Sequence, residues 1–178
     1  MKNTSIQQMK ELKLPLERDL FLRTLIRQLA GTLEDVVGLE EAEGYISVVG
    51  QSVGEWINET YKGELDQSKL TRDQVIGVLI DLKERIQGEF YIRSEDENKI
   101  EFGNKQCPFG DKVHGRSSMC MMTSNVFGSV TAENLGYAKV ELKETIARGN
   151  QECNVVVHFK RTDESDNANG REYFGLDD

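Results

Sequence analysis

The 178-residue chain is poor in the residues that most chemistry recruits. It has two histidines, His114 and His158, and three cysteines, Cys107, Cys120 and Cys153, with no Cys-x-x-Cys pair. A mechanism needing several imidazoles is excluded, as are a thioredoxin-like motif and a zinc ribbon. The odd cysteine count argues against a disulfide framework and leaves free thiols or a metal site. No stretch approaches the ~20 apolar residues needed to cross a bilayer, so no membrane partner is expected. The first residues lack the apolar core and small-residue cleavage site of a secretory signal, and a cytoplasmic location is expected. Positive charge is also short: 22 Lys and Arg stand against 31 Asp and Glu, for a net charge of −9. Phosphate contacts need clustered basic residues, so no nucleic-acid partner is expected. Neither G-x-x-x-x-G-K-[ST] nor a G-x-G-x-x-G after a strand occurs, which argues against the usual nucleotide-binding loops.

What is present is periodic. Leu16, Leu20, Leu25, Leu29, Leu33 and Val36 recur at helical spacing and predict a helix over about 16–37. Ala42, Tyr45, Ile46, Val49, Val53, Trp56 and Ile57 predict a second over about 40–61. Gly50 and Gly54 share a face of it, a spacing that suggests a closely approaching neighbour. Thr71 and Gln74 read as a capping box opening a third helix over about 71–87, with Val75, Val78, Leu79, Leu82 and Ile86 as its buried stripe. The period then changes to two, predicting strands at about 89–94 and 99–104 around a turn. Residues 103–118 read as a loop and 118–135 as a fourth helix. Strands follow at about 137–144 and 152–160, where His158 has the opposite parity to Val157 and is expected to face solvent. Antiparallel pairs separated by helices indicate α+β: helices packed on an antiparallel sheet made of two β-hairpins. Residues 1–15 read as an N-terminal arm and 16–160 as the domain. Residues 161–178 hold two basic and six acidic residues and are expected to be disordered, with Tyr173, Phe174 and Leu176 able to dock.

The chemistry-bearing candidates are few. Cys107 follows a strand, Cys120 opens a helix and Cys153 starts the last strand. A helix N-terminus lowers a thiol's pKa and favours thiolate. Three thiolates plus His114 would satisfy a tetrahedral zinc site, and soft sulfur suits an iron–sulfur cluster equally well. The spacings match no short zinc signature, and burial as small apolar side chains is the alternative role for these thiols. Val53, Trp56, Ile57, Met121, Met122 and Phe127 are the candidate lining of an apolar pocket between the glycine-bearing helix, the Met-rich helix and the sheet. Core packing is the alternative for the methionines. No Ser–His–Asp or paired-carboxylate arrangement stands out, so no catalytic residue is assigned.

The stretch from CPFG at Cys107 through SSMCMMTSNVFGSVTAENLGYAKVELKETIARGNQECNVVVHFKR resembles methanogen output domain 1, itself similar to the 4-vinyl reductase domain. Residues Glu144–Cys153 and the valines after them are the part most like the latter, and the Gly50-x-x-x-Gly54 helix is also similar. The resemblance covers about 16–160. It implies an α+β domain whose helices and antiparallel sheet enclose an apolar pocket, acting as a sensory or regulatory module. Such a module binds a small hydrophobic ligand and signals through a protein partner or a homodimer. Relatives with the 4-vinyl reductase domain include phenol-sensing regulators, in which that domain holds a structural zinc through cysteines and a carboxylate near its end. Cys153 fits the last of those cysteines, but Thr145 and Ile146 stand where another is expected. Cys107 and Cys120 look like the methanogen-output type. The departure leaves room for a differently built iron–sulfur or haem-type centre, and with it a small metal- or cluster-containing redox protein or enzyme as the alternative function.

Overall fold

The structure, a computed structural model, describes residues 2–175. Its helices are α1 (Lys2–Lys10), α2 (Arg18–Val37), α3 (Leu39–Leu65), α4 (Arg72–Arg85), α5 (Met121–Leu135) and α6 (Asp163–Asn167). Its strands are β1 (Phe90–Glu95), β2 (Lys99–Asn104), β3 (Tyr137–Glu144), β4 (Cys153–His158) and β5 (Gly170–Phe174). The strands form one sheet in the order β1-β2-β4-β3-β5, with every neighbouring pair antiparallel. Two hairpins therefore lie side by side, and the fold is α+β.

Each element follows from local chemistry. The capping box of α4 forms as the sequence predicts: Gln74 N donates to Thr71 Oγ1 at 3.3 Å, and Thr71 N donates to Gln74 Oε1 at 2.9 Å. The β1–β2 turn is closed by Asp96, whose Oδ1 accepts from the backbone N–H of Asn98 and Lys99 at 2.7 and 3.0 Å. This is the local bond that makes Asp a turn former. The predicted start of the fourth helix is looser than a capped helix, because Ser117–Cys120 forms a 3₁₀ turn that leads into α5.

α5 is the centre of the domain. It is buried continuously from Ser124 to Ala132, as expected for a helix with no charged face over that stretch. Its Val126, Phe127 and Val130 join Val75 and Leu79 of α4 and the inward-facing Ile100, Phe102, Val140, Val155 and Val157 of the sheet. α3 crosses the other side of α5 at the two glycines. A Cβ at Gly50 would stand 2.9 Å from Asn125 Cβ, and one at Gly54 would stand 3.0 Å from Ser129 Cβ. The spacing of the glycines thus reports a close helix contact.

Two expectations are corrected. The segment read as a disordered acidic tail forms α6 and β5, and β5 extends the sheet beside β3. Tyr173 explains why: its ring lies flat on Gly128, where a Cβ would stand 2.2 Å away, and its hydroxyl is 2.9 Å from Ser124 Oγ. Burial of one aromatic residue and strand pairing outweigh the acidic composition. Leu176, the other candidate for docking, lies outside the described residues. His158 does not face solvent and is only 2% exposed. The lysines flanking it in register, Lys99 and Lys139, reach α6 through an ion pair to Glu164 and a 2.7 Å bond to the Ser165 carbonyl. That short helix roofs the outer face of the sheet above His158.

Candidate functional site

Apolar faces of four helices meet beside the N-terminal half of α5. Leu22 and Ile26 come from α2, Val53, Trp56 and Ile57 from α3, Leu82 from α4 with Ile86 capping its end, and Met122 and Val126 from α5. Within each helix these residues are three or four apart or adjacent on the same stripe. They bound a cleft of about 920 Å³, with Pro108 and Phe109 forming one wall. That is a volume suited to a small organic ligand. The wall is fixed by α2: Arg27 Nη1 donates to the carbonyls of Lys112 and His114 at 2.5 and 2.8 Å. Arg116 pairs with Glu34 at 2.7 Å, and the Ser118 hydroxyl donates to the same carboxylate at 2.5 Å.

Of the six residues expected to line a pocket, the structure brings Val53, Trp56, Ile57 and Met122 to this cleft. Phe127 lies instead in the core, edge-to-face with Phe90 at 5.6 Å and Phe102 at 5.5 Å. One step along a helix turns a side chain by about 100°, so Val126 faces the cleft while Phe127 faces the sheet. Met121 is not part of the lining; its backbone lies against Gly50, and its carbonyl accepts from Asn125 Nδ2 at 2.7 Å. The wall expected from the sheet is supplied by α2 and α4.

The sequence reading missed Lys83, which also lines the cleft. Val75, Leu79 and Lys83 fall at four-residue steps on α4, so the lysine continues the buried stripe and is only 4% exposed. Its Nζ donates to Thr123 Oγ1 at 2.8 Å and lies 4.9 and 5.1 Å from the ring centroids of Phe90 and Phe127. Burial lowers its pKa from 10.5 to about 8, opposed by the neighbouring thiols of Cys107, Cys153 and Cys120. The signal was available in the spacing: a lysine on an apolar stripe has to be either paired or used.

Those three thiols line a second, smaller cavity of about 30 Å³, with Asn104, Phe109, Thr123 and Thr145 among its other walls. Such a space takes one or two water-sized occupants; a haem or a cluster would need the walls to part. Burial, reinforced by the other two thiols, pushes the Cys120 thiol up to about 12. Burial raises Cys107 and Cys153 as well. The helix N-terminus expected to favour a Cys120 thiolate is outweighed by loss of solvent. Cys153 Sγ accepts from the Ile146 N–H at 3.3 Å. His114 is exposed in the loop and is not part of this lining. Among the described residues, no group of three or more His, Cys, Asp or Glu side chains is arranged to hold a metal ion. No described helix is long and apolar enough to cross a membrane.

Comparison with known proteins places this geometry in context. The family model described as methanogen output domain 1 matches residues 25–158. A search of curated proteins finds no match. Among solved structures, the phenol-responsive sensory domain of the transcription activator PoxR, with phenol, is similar at 17% identity and a TM-score of 0.59, over 88% of this chain and 82% of that one. A trafficking protein particle complex subunit 3 from Naegleria fowleri, covalently bound to palmitic acid, is similar at 12% identity and a TM-score of 0.59, over 80% and 95%. At these identities the likeness is one of fold.

Proposed function

The chain belongs to the methanogen output domain 1 family, and we propose that it is a sensory or regulatory domain that binds a small apolar ligand in the cleft between α2, α3, α4 and α5. The observation that carries this reading is the cleft itself, open to solvent yet walled by apolar side chains from four helices and a pinned loop. Two structures of similar fold support it, one a phenol-responsive sensory domain with phenol and the other bound to palmitic acid. A cytoplasmic location goes with this reading.

The signal leaves through protein contacts. Leu22 and Ile26 of α2 face the cleft, while Leu25, Leu29 and Val36 on the same helix are exposed. Scattered exposed apolar residues are ordinary, but a stripe along one helix marks an interaction surface. A partner protein or a second copy of the chain would cover it. Light scattering tests the homodimer: a monomer at all concentrations removes it and leaves a different partner.

Trp56 is the only tryptophan, lines the cleft and is 68% exposed. Saturable binding of phenol or of 1-octanol should shift its emission to shorter wavelength and raise the melting temperature. If neither compound changes emission or melting temperature, the ligand-binding reading falls. A second reading rests on the three thiols around one small cavity: a cysteine-held zinc or cluster, and a redox role. Metal analysis and a visible spectrum after purification without oxygen decide it. Stoichiometric zinc or colour would support that reading, and metal-free, colourless protein would remove it.

A further inference from the structure

We propose that the ligand of the cleft is a carboxylic acid with an apolar body, and that the Lys83 ammonium and the Thr123 hydroxyl hold its carboxylate. This rests on the reading of the cleft as a ligand site and names the chemical class it selects.

Lys83 is the reason. A buried ammonium has to be paired or hydrogen-bonded, because leaving water costs far more for a charge than for a neutral group. Here its one hydrogen-bond partner among the described residues is the neutral hydroxyl of Thr123, at 2.8 Å. The rings of Phe90 and Phe127 stand near it, and no described carboxylate forms an ion pair with it. The thiols that surround it do not supply the missing charge, since burial holds them protonated at neutral pH. The cation therefore stands unpaired in the wall of an apolar cleft large enough for an organic ligand.

The donor set fits a carboxylate. Thr123 Oγ1 accepts from the lysine, which leaves its own proton free to donate, and the ammonium has protons beyond the one given to Thr123. One ammonium and one hydroxyl match the two oxygens and single charge of a carboxylate. A phosphate would demand more donors. The guanidinium groups that also border the cleft are engaged elsewhere: Arg23 with Asp19 at 2.7 Å and Arg85 with Asp81 at 2.6 Å. With the head at Lys83, the body lies along Val53, Trp56, Met122 and Phe109.

The test compares octanoate with 1-octanol, which has the same chain but no charge, on the intact chain. Trp56 emission and calorimetry are the readouts. Octanoate should bind at least about tenfold more tightly than 1-octanol, as expected for a buried charged hydrogen bond. Lys83→Met should abolish that preference, so that octanoate binds the variant no more tightly than 1-octanol does. Thr123→Val, which keeps the shape and removes the hydroxyl, should weaken octanoate by several-fold and reduce its advantage over 1-octanol. If 1-octanol binds as tightly as octanoate, or Lys83→Met keeps the preference, the carboxylate assignment is overturned and the apolar cleft stands. If neither compound binds the unaltered protein, the cleft reading and this inference fall together.

Discussion

Replacing Lys83 by Met removes a buried charge at little cost in volume, and the effect on stability should depend on pH in a defined direction. In the folded chain the ammonium sits among Thr123, Phe90 and Phe127, and burial lowers its pKa from 10.5 to about 8. In the unfolded chain the amine keeps its proton up to the ordinary lysine range. Between about pH 8 and 10.5 the unfolded state therefore binds more protons than the folded one, and stability at this site rises with pH. Below about pH 8 both states are protonated and the folded state carries the full cost of the buried charge. At about 1.4 kcal/mol per pH unit, that cost is roughly 3 kcal/mol. Above about pH 10.5 both states are neutral and the cost is gone. Lys83→Met, which has no such cost, should gain most over the unaltered protein at pH 7, and this advantage should shrink by roughly 3 kcal/mol by pH 10.5. Loss of the bond to Thr123 subtracts about 1 kcal/mol from the variant at every pH below 8. Cys107, Cys120 and Cys153 face the same lysine and titrate in the opposite sense, since burial raises their pKa values. The Lys83 charge lowers Cys107 and Cys153, so its removal raises those two thiols further and adds a smaller change of its own to the difference at alkaline pH. Denaturant unfolding followed by circular dichroism at pH 7, 8.5 and 10 gives that difference directly. A gap that does not change over this range refutes the buried charge.

Gly54→Leu forces a side chain into the α3–α5 contact, where even a Cβ would stand 3.0 Å from Ser129 Cβ and 3.2 Å from Val126 Cα. It should cost about 1–3 kcal/mol, and an unchanged melting temperature would refute the close contact. Tyr173→Ala removes the ring that seats β5 on Gly128 and should cost about 3 kcal/mol. A disordered tail would leave thermal unfolding unaltered by the same change. Cys120, with its thiol pushed up to about 12, should alkylate far more slowly in the native chain at pH 8 than in urea. Modification of Cys120 within minutes in the native state, read by mass spectrometry, would contradict its burial.

The elements that carry a strong local period were legible. The capping box at Thr71 and Gln74, the alternation of Ile100 and Phe102, and the two hairpins all form where the residues predict them. Gly50 and Gly54 marked a helix contact that the structure contains. What failed was inference from one property where a non-local contact decides. Parity along β4 placed His158 outward, which is correct, but the roof over that face comes from α6, in a stretch whose acidic composition argued for no structure at all. The same composition hid β5, because one ring on one glycine is invisible to a charge count.

The candidate site shows the same division. Helical spacing on α3 identified three cleft residues, Val53, Trp56 and Ile57, because a stripe predicts a common face whatever covers it. On α5 the methionine cluster and Phe127 look alike by composition, although adjacent residues on a buried helix face different neighbours. Lys83 is hidden in the sequence because an apolar stripe is defined by its apolar members and a single cation on it carries no periodic signal of its own. Cys120 was assigned a lowered pKa from its position at a helix start, a local rule that burial beside two more thiols reverses.

The placement of Lys83 also bears on how the proposed sensor would report an occupied cleft. Thr123, its partner, borders both the large cleft and the thiol-lined cavity, and Pro108 and Phe109 border both as well. The loop bearing those two residues is held by Arg27 and Glu34 of α2, the helix that also exposes Leu25, Leu29 and Val36 alongside its cleft-lining residues. A ligand that occupies the cleft presses on Leu22 and Ile26 of that same helix. The helix that meets the ligand, the loop that walls it and the surface open to a partner are therefore one mechanical unit. Ligand binding can change a partner's affinity only through a difference in contacts between two arrangements of such a unit, and α2 with its tethered loop is the part of this domain that touches both sides.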